Sequence, residues 1–267
     1  MITEKLKQDT RYFKNETDYP MLCQFKEKYA IFKKEYADFC NDPVANGSLE
    51  NMSTATKAIK SSKSDWKVFS FVMHNRTTAD IVKEHKLSFN GKTTEQLLEF
   101  FSYVEKRHFP ETQKFLSEMF KNPDNGLVSV WFSQFNPGTK LGMHTNYDPY
   151  MYRAHLGIDV PEGNIGFKVC DETIKWKNGE ILVFDPINPH TAWNLTEQIR
   201  TVLIIDFFRP EKDRNEMIKL EKEQYELMMK KNPNSFGMSG GMFDLDPEIL
   251  KKYSVPEVES GNTIRSE

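Results

Sequence analysis

The segment from Leu127 to Pro210 decides the fold of this chain. It contains five runs of strand length: L-V-S-V-W-F-S-Q-F (127–135), R-A-H-L-G-I-D-V (153–160), I-G-F-K-V-C (165–170), E-I-L-V-F (180–184) and R-T-V-L-I-I-D-F-F (200–208). Turn-forming residues separate the runs, namely Pro137-Gly138, Pro161-Glu162-Gly163, Lys177-Asn178-Gly179 and Asn188-Pro189. Short strands with regular turns and no helical segment between them are typical of an antiparallel barrel or jelly roll.

Helical and polar segments precede this strand-rich region. Apolar residues recur near helical spacing from Pro20 to Phe39, which predicts one amphipathic helix with Pro20 in its first turn. Residues 41–64 are rich in Asn, Ser, Gly and Lys and predict a long loop, and residues 66–71 predict a strand. A capping box at residues 93–96 predicts a second helix, and Pro110 predicts the start of a third.

The pattern along the chain predicts one domain built from three parts. Residues 1–126 are expected to form a helical and strand region that packs on the barrel, and residues 127–210 the β core. Residues 211–267 are expected to form a charged C-terminal helix and a loosely ordered tail.

Composition excludes several classes of protein. A hydrophobic fraction of 38% and a net charge of −3 indicate a globular protein without the basic excess of a nucleic-acid binder. Three cysteines without a C-x-x-C motif favour a reducing compartment over a disulfide framework. No apolar run is long enough to span a bilayer, so we expect a cytoplasmic protein without a membrane partner. Composition does not predict the oligomeric state.

Histidines in the strand-rich region suggest a metal site. Jelly-roll oxygenases hold Fe(II) with a His-x-Asp/Glu pair on one strand and a distal His on another. Here the first element would be His144-Thr145-Asn146 and the second would be His190. The alternative is that these are ordinary core or surface histidines, and two histidines alone do not decide between the two interpretations.

Arg200 opens an otherwise apolar strand and therefore needs a carboxylate partner, because an unpaired buried charge is costly. A structural partner would be Asp206 or Asp185. A functional partner would be the distal carboxylate of bound 2-oxoglutarate, which matches the planar fork of the guanidinium. The residues by themselves leave both possibilities open.

The spacing of these residues resembles the aspartyl/asparaginyl β-hydroxylase family over roughly residues 66–210. The motifs that carry the resemblance are Ser133, Pro137-Gly138-Thr139, His144, Arg153-x-His155-Leu156-Gly157, Trp176-x-x-Gly179, Phe184-Asp185, His190-x-x-Trp193, Arg200 and Asp206. The resemblance implies a mainly β fold with flanking α-helices, a double-stranded β-helix of the jelly-roll, cupin-like kind. It also implies an Fe(II)- and 2-oxoglutarate-dependent dioxygenase that consumes O2.

The family pattern implies a role for each matching residue. His144 and His190 would bind the iron, and Arg200 with Ser133 would bind the distal carboxylate of 2-oxoglutarate. The cosubstrate would be contacted beside the iron by Arg153 and His155, in a pocket that is also lined by Trp66.

Asn146 departs from the family pattern, which has Asp or Gly two residues after the first histidine. Three roles stay open for its amide: a weak iron ligand, a hydrogen bond to an iron-bound water, or none. We favour a two-histidine site completed by water that Asn146 orients. Asp148 is a less well spaced substitute, and a vacant ligand position would also admit halide.

The leading hypothesis is therefore hydroxylation of a C–H bond. The favoured substrate is the β-carbon of an aspartyl, asparaginyl or related amino acid, free as a small molecule or within a peptide. One alternative is an acyl-chain hydroxylase of the same family. Another is a non-catalytic jelly-roll protein that only binds a metal or ligand.

Overall fold

The structure, a computed structural model, describes residues 12–46, 50–51, 65–88, 91–146, 148–231 and 242–243. Its helices are α1 (Pro20–Glu27), α2 (Tyr29–Cys40), α3 (Pro43–Asn46), α4 (Thr78–His85), α5 (Thr94–His108), α6 (Pro110–Lys121) and α7 (Arg214–Lys231). Its strands are β1 (Phe13–Lys14), β2 (Glu50–Asn51), β3 (Trp66–Met73), β4 (Arg76–Thr77), β5 (Leu127–Phe135), β6 (Thr139–Lys140), β7 (Thr145–Asn146), β8 (Met151–Asp159), β9 (Ile165–Val169), β10 (Glu172–Ile174), β11 (Ile181–Phe184), β12 (His190–Asn194), β13 (Arg200–Phe208) and β14 (Met242–Phe243).

The described strands form three antiparallel sheets. The large sheet has the order β1-β11-β8-β13-β5-β3-β2, with β4 beside β3, and the smaller one has the order β10-β9-β12-β6. A third sheet pairs β14 with β7, so a segment of the C-terminal tail lies against the strand that contains Asn146. The prediction of a mainly β jelly roll with flanking helices is confirmed.

The large sheet separates a layer of helices from the interior of the barrel, because successive side chains of a strand point to opposite faces. On β5, the ring of Phe132 packs against the rings of Tyr36 (4.3 Å between centroids) and Phe109 (5.8 Å) on the helical side. Its neighbours Trp131 and Ser133 line a cavity on the other side. The long strands are therefore buried on both faces.

The predicted helix from Pro20 to Phe39 is two helices, because the chain breaks at Lys28. The backbone N–H of Lys28 donates to the carbonyl of Phe25 at 3.1 Å, a tight turn that ends α1 and lets α2 start one residue later. Leu22 in α1 and Phe39 in α2 are nevertheless both fully buried. The apolar pattern thus predicts the buried face but not the break.

The other elements predicted for the first half are present, and the structure adds elements that were not predicted. The capping box of Thr93 and Gln96 starts α5, and α6 starts at Pro110, both as expected. The predicted loop contains α3 and β2, while residues 47–49 and 52–64 lie outside the described residues. The sequence pattern missed α4, whose signal was a second capping box formed by Thr77 and Asp80.

Glu105 on α5 predicts a pH-dependent stability. Burial raises the pKa of its carboxyl to about 7, against a smaller opposing hydrogen bond from Gln113. The folded state therefore keeps a proton that the unfolded state loses above its ordinary pKa, so this residue's contribution to stability falls as the pH rises towards 7. We expect Glu105→Gln to raise the free energy of unfolding by about 3 kcal/mol at pH 8 and to leave it unchanged at pH 4.

Urea unfolding of the wild type and the variant at both pH values measures this effect. Glu99→Gln is the matched control, because Glu99 is exposed on the same helix. An equal gain for both variants, or a gain for Glu105→Gln at pH 4 as large as at pH 8, would contradict the assignment.

Candidate active site

A cavity lies between the two larger sheets, and seven of the eight predicted site residues line it. They are Trp66, Ser133, His144, Arg153, His155, His190 and Arg200. They come from both sheets and from the segment before β7, so only the folded barrel brings them together. The eighth residue, Asn146, is buried on β7, two residues after His144.

His144 and His190 lie side by side. The backbone N–H of His144 donates to the carbonyl of His190 at 3.0 Å, and the reverse bond measures 2.8 Å. The centroids of the two imidazole rings are 4.3 Å apart. Two histidines that are 46 residues apart in the sequence are thus neighbours through direct backbone pairing.

The hydrogen bonds of the two rings fix which nitrogen is available to a ligand. The Nδ1 atom of His144 lies 2.8 Å from the carbonyl of Gly142, and that of His190 lies 2.8 Å from the carbonyl of Asn188. Since a carbonyl only accepts, each Nδ1 carries the proton and each Nε2 keeps a lone pair. Burial lowers the pKa of His144 to about 4 and that of His190 well below its ordinary value, so both rings are neutral near pH 7.

No carboxylate of the described residues completes the pair. Among the residues that the structure describes, no group of three or more His, Cys, Asp or Glu side chains could hold a metal ion. Asp148 therefore does not substitute for the missing ligand. Its carboxylate is buried, accepts a hydrogen bond from the Tyr150 hydroxyl at 3.3 Å, and has a pKa that burial raises.

Asn146 retains an unused acceptor. Its backbone N–H donates to the carbonyl of Pro186 at 2.9 Å, while its side-chain Oδ1 is buried without a hydrogen-bond partner. An unsatisfied buried acceptor costs about 1–3 kcal/mol, which a bound water or metal would remove. The amide oxygen of Asn146 is therefore free to accept a further hydrogen bond or to bind a metal.

Arg200 is almost completely buried, with 1% of its surface exposed. Its Nη1 donates to the carbonyl of Ser133 at 3.1 Å, and its guanidinium lies 3.6 Å from the ring centroid of Phe135 and 4.6 Å from that of Trp176. Its Nε is buried without a partner. Burial lowers the pKa of Arg200 to about 9, because desolvation disfavours the charged form.

The two structural partners considered for Arg200 are engaged elsewhere, so that alternative is wrong. Asp206 accepts two hydrogen bonds from Arg153, at 2.6 and 3.0 Å, and Asp185 accepts two from Arg209, at 2.8 and 2.7 Å. Within the described parts of the chain, Arg200 forms no ion pair. A buried cation without a counterion is the electrostatic signature of a site for an anionic ligand.

The remaining predicted residues surround this cation and the histidine pair. The indole N–H of Trp66 donates to the Ser133 hydroxyl at 3.0 Å. The indole N–H of Trp176 donates to Nδ1 of His155 at 3.3 Å, so the proton of the neutral His155 ring is on Nε2. This Nε2 is buried without a hydrogen-bond partner. Trp176 is a residue for which the motif gave no role, although it lies within the matched pattern.

The similarity to known proteins covers the part of the chain that contains the cavity residues. The model of the aspartyl/asparaginyl β-hydroxylase family matches residues 26–210. An ornithine lipid ester-linked acyl 2-hydroxylase from Rhizobium tropici is 39% identical over 87 residues, which are 32% of this chain and 31% of that protein. The aspartyl/asparaginyl β-hydroxylase of Mus musculus is 28% identical over 102 residues, which are 38% of this chain and 14% of that protein. The matches thus span less than a third of the length of either relative.

Similarity to solved structures is weaker. A cupin domain of an XRE family transcriptional regulator from Enterobacter cloacae is 14% identical with a TM-score of 0.27, over 30% of this chain and 81% of that chain. A score of this size carries no argument about function. Of the helices that the structure describes, none combines the length and the apolar character needed to cross a membrane.

Proposed function

Because this chain belongs to the aspartyl/asparaginyl β-hydroxylase family, we propose that it is an Fe(II)- and 2-oxoglutarate-dependent hydroxylase. The observation that carries the proposal is the unpaired, buried guanidinium of Arg200 in the same cavity as two neutral histidines with available Nε2 atoms. A structural arginine would have a carboxylate of the chain as its partner, as Arg209 has in Asp185.

The cavity residues fit the groups that such an enzyme needs. His144 and His190 would hold Fe(II), with a water oriented by Asn146. When bound, iron and 2-oxoglutarate supply an oxidant that hydroxylates an unactivated C–H bond, with consumption of O2 and release of succinate and CO2.

The chain itself supplies binding and orientation. Arg200 and the Ser133 hydroxyl, which lie 3.4 Å apart, would bind the distal carboxylate and fix the cosubstrate along the cavity. The hydrogen bond from Trp66 holds that hydroxyl in place. Asp206 neutralises Arg153, so the ligand's negative charge would be balanced mainly at the Arg200 end.

For the substrate we propose the β-carbon of an aspartyl, asparaginyl or related residue, in line with the description of the family. The 39% identity with the Rhizobium tropici protein supports an acyl chain as the second candidate. Succinate formation measured by NMR with Fe(II), O2 and 2-oxoglutarate separates them: peptides containing Asp or Asn are expected to stimulate it, and an ornithine lipid is not. Stimulation by the lipid alone would favour the second candidate, and absence of succinate with either would favour the non-catalytic alternative.

Asn146→Asp tests the open ligand position. A carboxylate placed there would bind Fe(II) as a charged third ligand, so we expect the iron affinity to rise by about tenfold and succinate formation to fall. Isothermal titration under anaerobic conditions measures the first effect. Asp148→Asn is the control and should not change the iron affinity, because Asp148 lies outside any metal-binding group. Unchanged affinity in Asn146→Asp would show that residue 146 does not face the iron.

A further inference from the structure

One indole of the cavity has no partner. Trp131 on β5 lines the cavity with 4% of its surface exposed, and its Nε1 is buried without a hydrogen-bond acceptor. The other two tryptophans of the cavity differ, because Trp66 donates to Ser133 and Trp176 donates to His155. An indole N–H can only donate, so an acceptor from a bound molecule is needed to satisfy Trp131.

The sheet register places Trp131 at a defined end of the cavity. Trp131 pairs with Ile204, and Ile204 pairs with His155 on the next strand, so the three form one row across the sheet. The guanidinium carbon of Arg153 lies 5.7 Å from the ring centroid of Trp131. The backbone of Arg200 pairs instead with Phe135, and its guanidinium reaches the carbonyl of Ser133, which is two residues, or about 7 Å along the strand, from Trp131.

Apart from the Nε2 atoms of His144 and His190, which would bind the metal, the unpartnered polar atoms of the cavity lining are all of one chemical kind. Three buried nitrogen atoms of its lining have no hydrogen-bond partner: Nε1 of Trp131, Nε2 of His155 and Nε of Arg200. Each carries a hydrogen, since Nδ1 of His155 is the acceptor from Trp176. A lining whose unused groups are donors at both ends selects a ligand with acceptors at both ends, and carboxylates provide the strongest ones.

We propose that the indole N–H of Trp131, together with Nε2–H of His155, binds a carboxylate oxygen at the end of the cavity opposite Arg200. The inference rests on the proposed function and extends it to a residue for which the family pattern gave no role. The carboxylate comes either from the 2-oxo acid end of the cosubstrate or from the substrate, and the experiment distinguishes the two sources.

The test uses the full chain labelled with ¹⁵N-tryptophan and loaded with diamagnetic Zn(II) in place of Fe(II). The chain has four tryptophans, and the indole signal of Trp131 is identified by its loss in Trp131→Phe, which keeps a buried ring. Trp193 is the internal reference, because its indole donates to Asn164 at 3.0 Å and it does not line the cavity. 2-Oxoglutarate is titrated first, and L-asparagine is added afterwards.

A cosubstrate contact predicts that 2-oxoglutarate shifts the Trp131 signal downfield and leaves that of Trp193 in place. It also predicts that Trp131→Phe weakens 2-oxoglutarate binding about tenfold by calorimetry, whereas Trp193→Phe does not. A substrate contact predicts that the signal shifts only when L-asparagine is added, with unchanged 2-oxoglutarate affinity in Trp131→Phe.

Two results would overturn the inference. If the wild type binds 2-oxoglutarate but neither compound shifts the Trp131 signal, the indole faces only water and the proposed function stands without it. If the wild type binds no 2-oxoglutarate at all, the proposed function fails and this inference fails with it.

Discussion

His190→Ala is expected to lower the affinity for Fe(II) by more than about 100-fold and to abolish succinate formation. Loss of a hydrogen-bond partner behind a metal ligand already costs 10- to 100-fold, and this change removes the ligand itself. Among the described residues, the remaining imidazole of His144 belongs to no group of three or more side chains that could hold a metal ion. Anaerobic calorimetry with Fe(II) measures the affinity directly.

His85→Ala provides the matched control. His85 lies on α4, where its Nε2 is 2.8 Å from the hydroxyl of Tyr225, and it does not line the cavity. We expect it to leave the iron affinity unchanged. If His190→Ala keeps its circular dichroism spectrum and still binds iron as the wild type does, the metal lies elsewhere.

Arg200→Met is expected to have opposite effects on binding and on stability. Removing one partner of a buried ion pair costs about 3–5 kcal/mol, which corresponds to a loss of about 150- to 5,000-fold in 2-oxoglutarate affinity. In the protein without ligands the cation is unpaired, so its replacement by an apolar side chain should raise the free energy of unfolding by about 1–2 kcal/mol. The rings of Phe135 and Trp176 that enclose the guanidinium remain to pack against the thioether.

Arg209→Met separates this effect from a general effect of removing an arginine. Arg209 is bound by Asp185 through two hydrogen bonds, so its loss leaves a carboxylate without its partner and should lower stability. Urea unfolding of both variants without ligands, and calorimetry with 2-oxoglutarate, measure the two quantities. A destabilised Arg200→Met protein would mean that the guanidinium has a structural role that its contacts do not reveal.

The sequence predicted the fold because strand periodicity is a local property. The runs at residues 127–135 and 200–208 become β5 and β13, and their neighbours become β8, β9 and β11. The strand β12 was missed, since H-T-A-W-N has neither a long apolar run nor regular alternation. The pairing of β14 with β7 was also missed, because a two-residue strand in a polar tail has no signal of its own.

The candidate site was predicted from motif spacing, but its charge balance was not. Whether Asp206 neutralises Arg200 or Arg153 depends on the register of β13 against β8, which places Asp206 opposite Arg153. The missing hydrogen-bond partner of the Trp131 indole could not be predicted either, because it depends on residues that are distant in the sequence. Such features come from the three-dimensional arrangement and have no local sequence pattern.

The most direct test of the proposed iron and 2-oxoglutarate site is anaerobic visible spectroscopy of the full chain, titrated with Fe(II) and then with 2-oxoglutarate. We predict that 2-oxoglutarate produces a weak charge-transfer band, because it would bind at the iron held by His144 and His190 while Arg200 binds its distal carboxylate. The band should be absent in Arg200→Met at the same ligand concentration. Tight iron binding without a band would contradict the account and favour a metal-binding barrel, and absence of iron binding would show that Asn146 marks an inactive site.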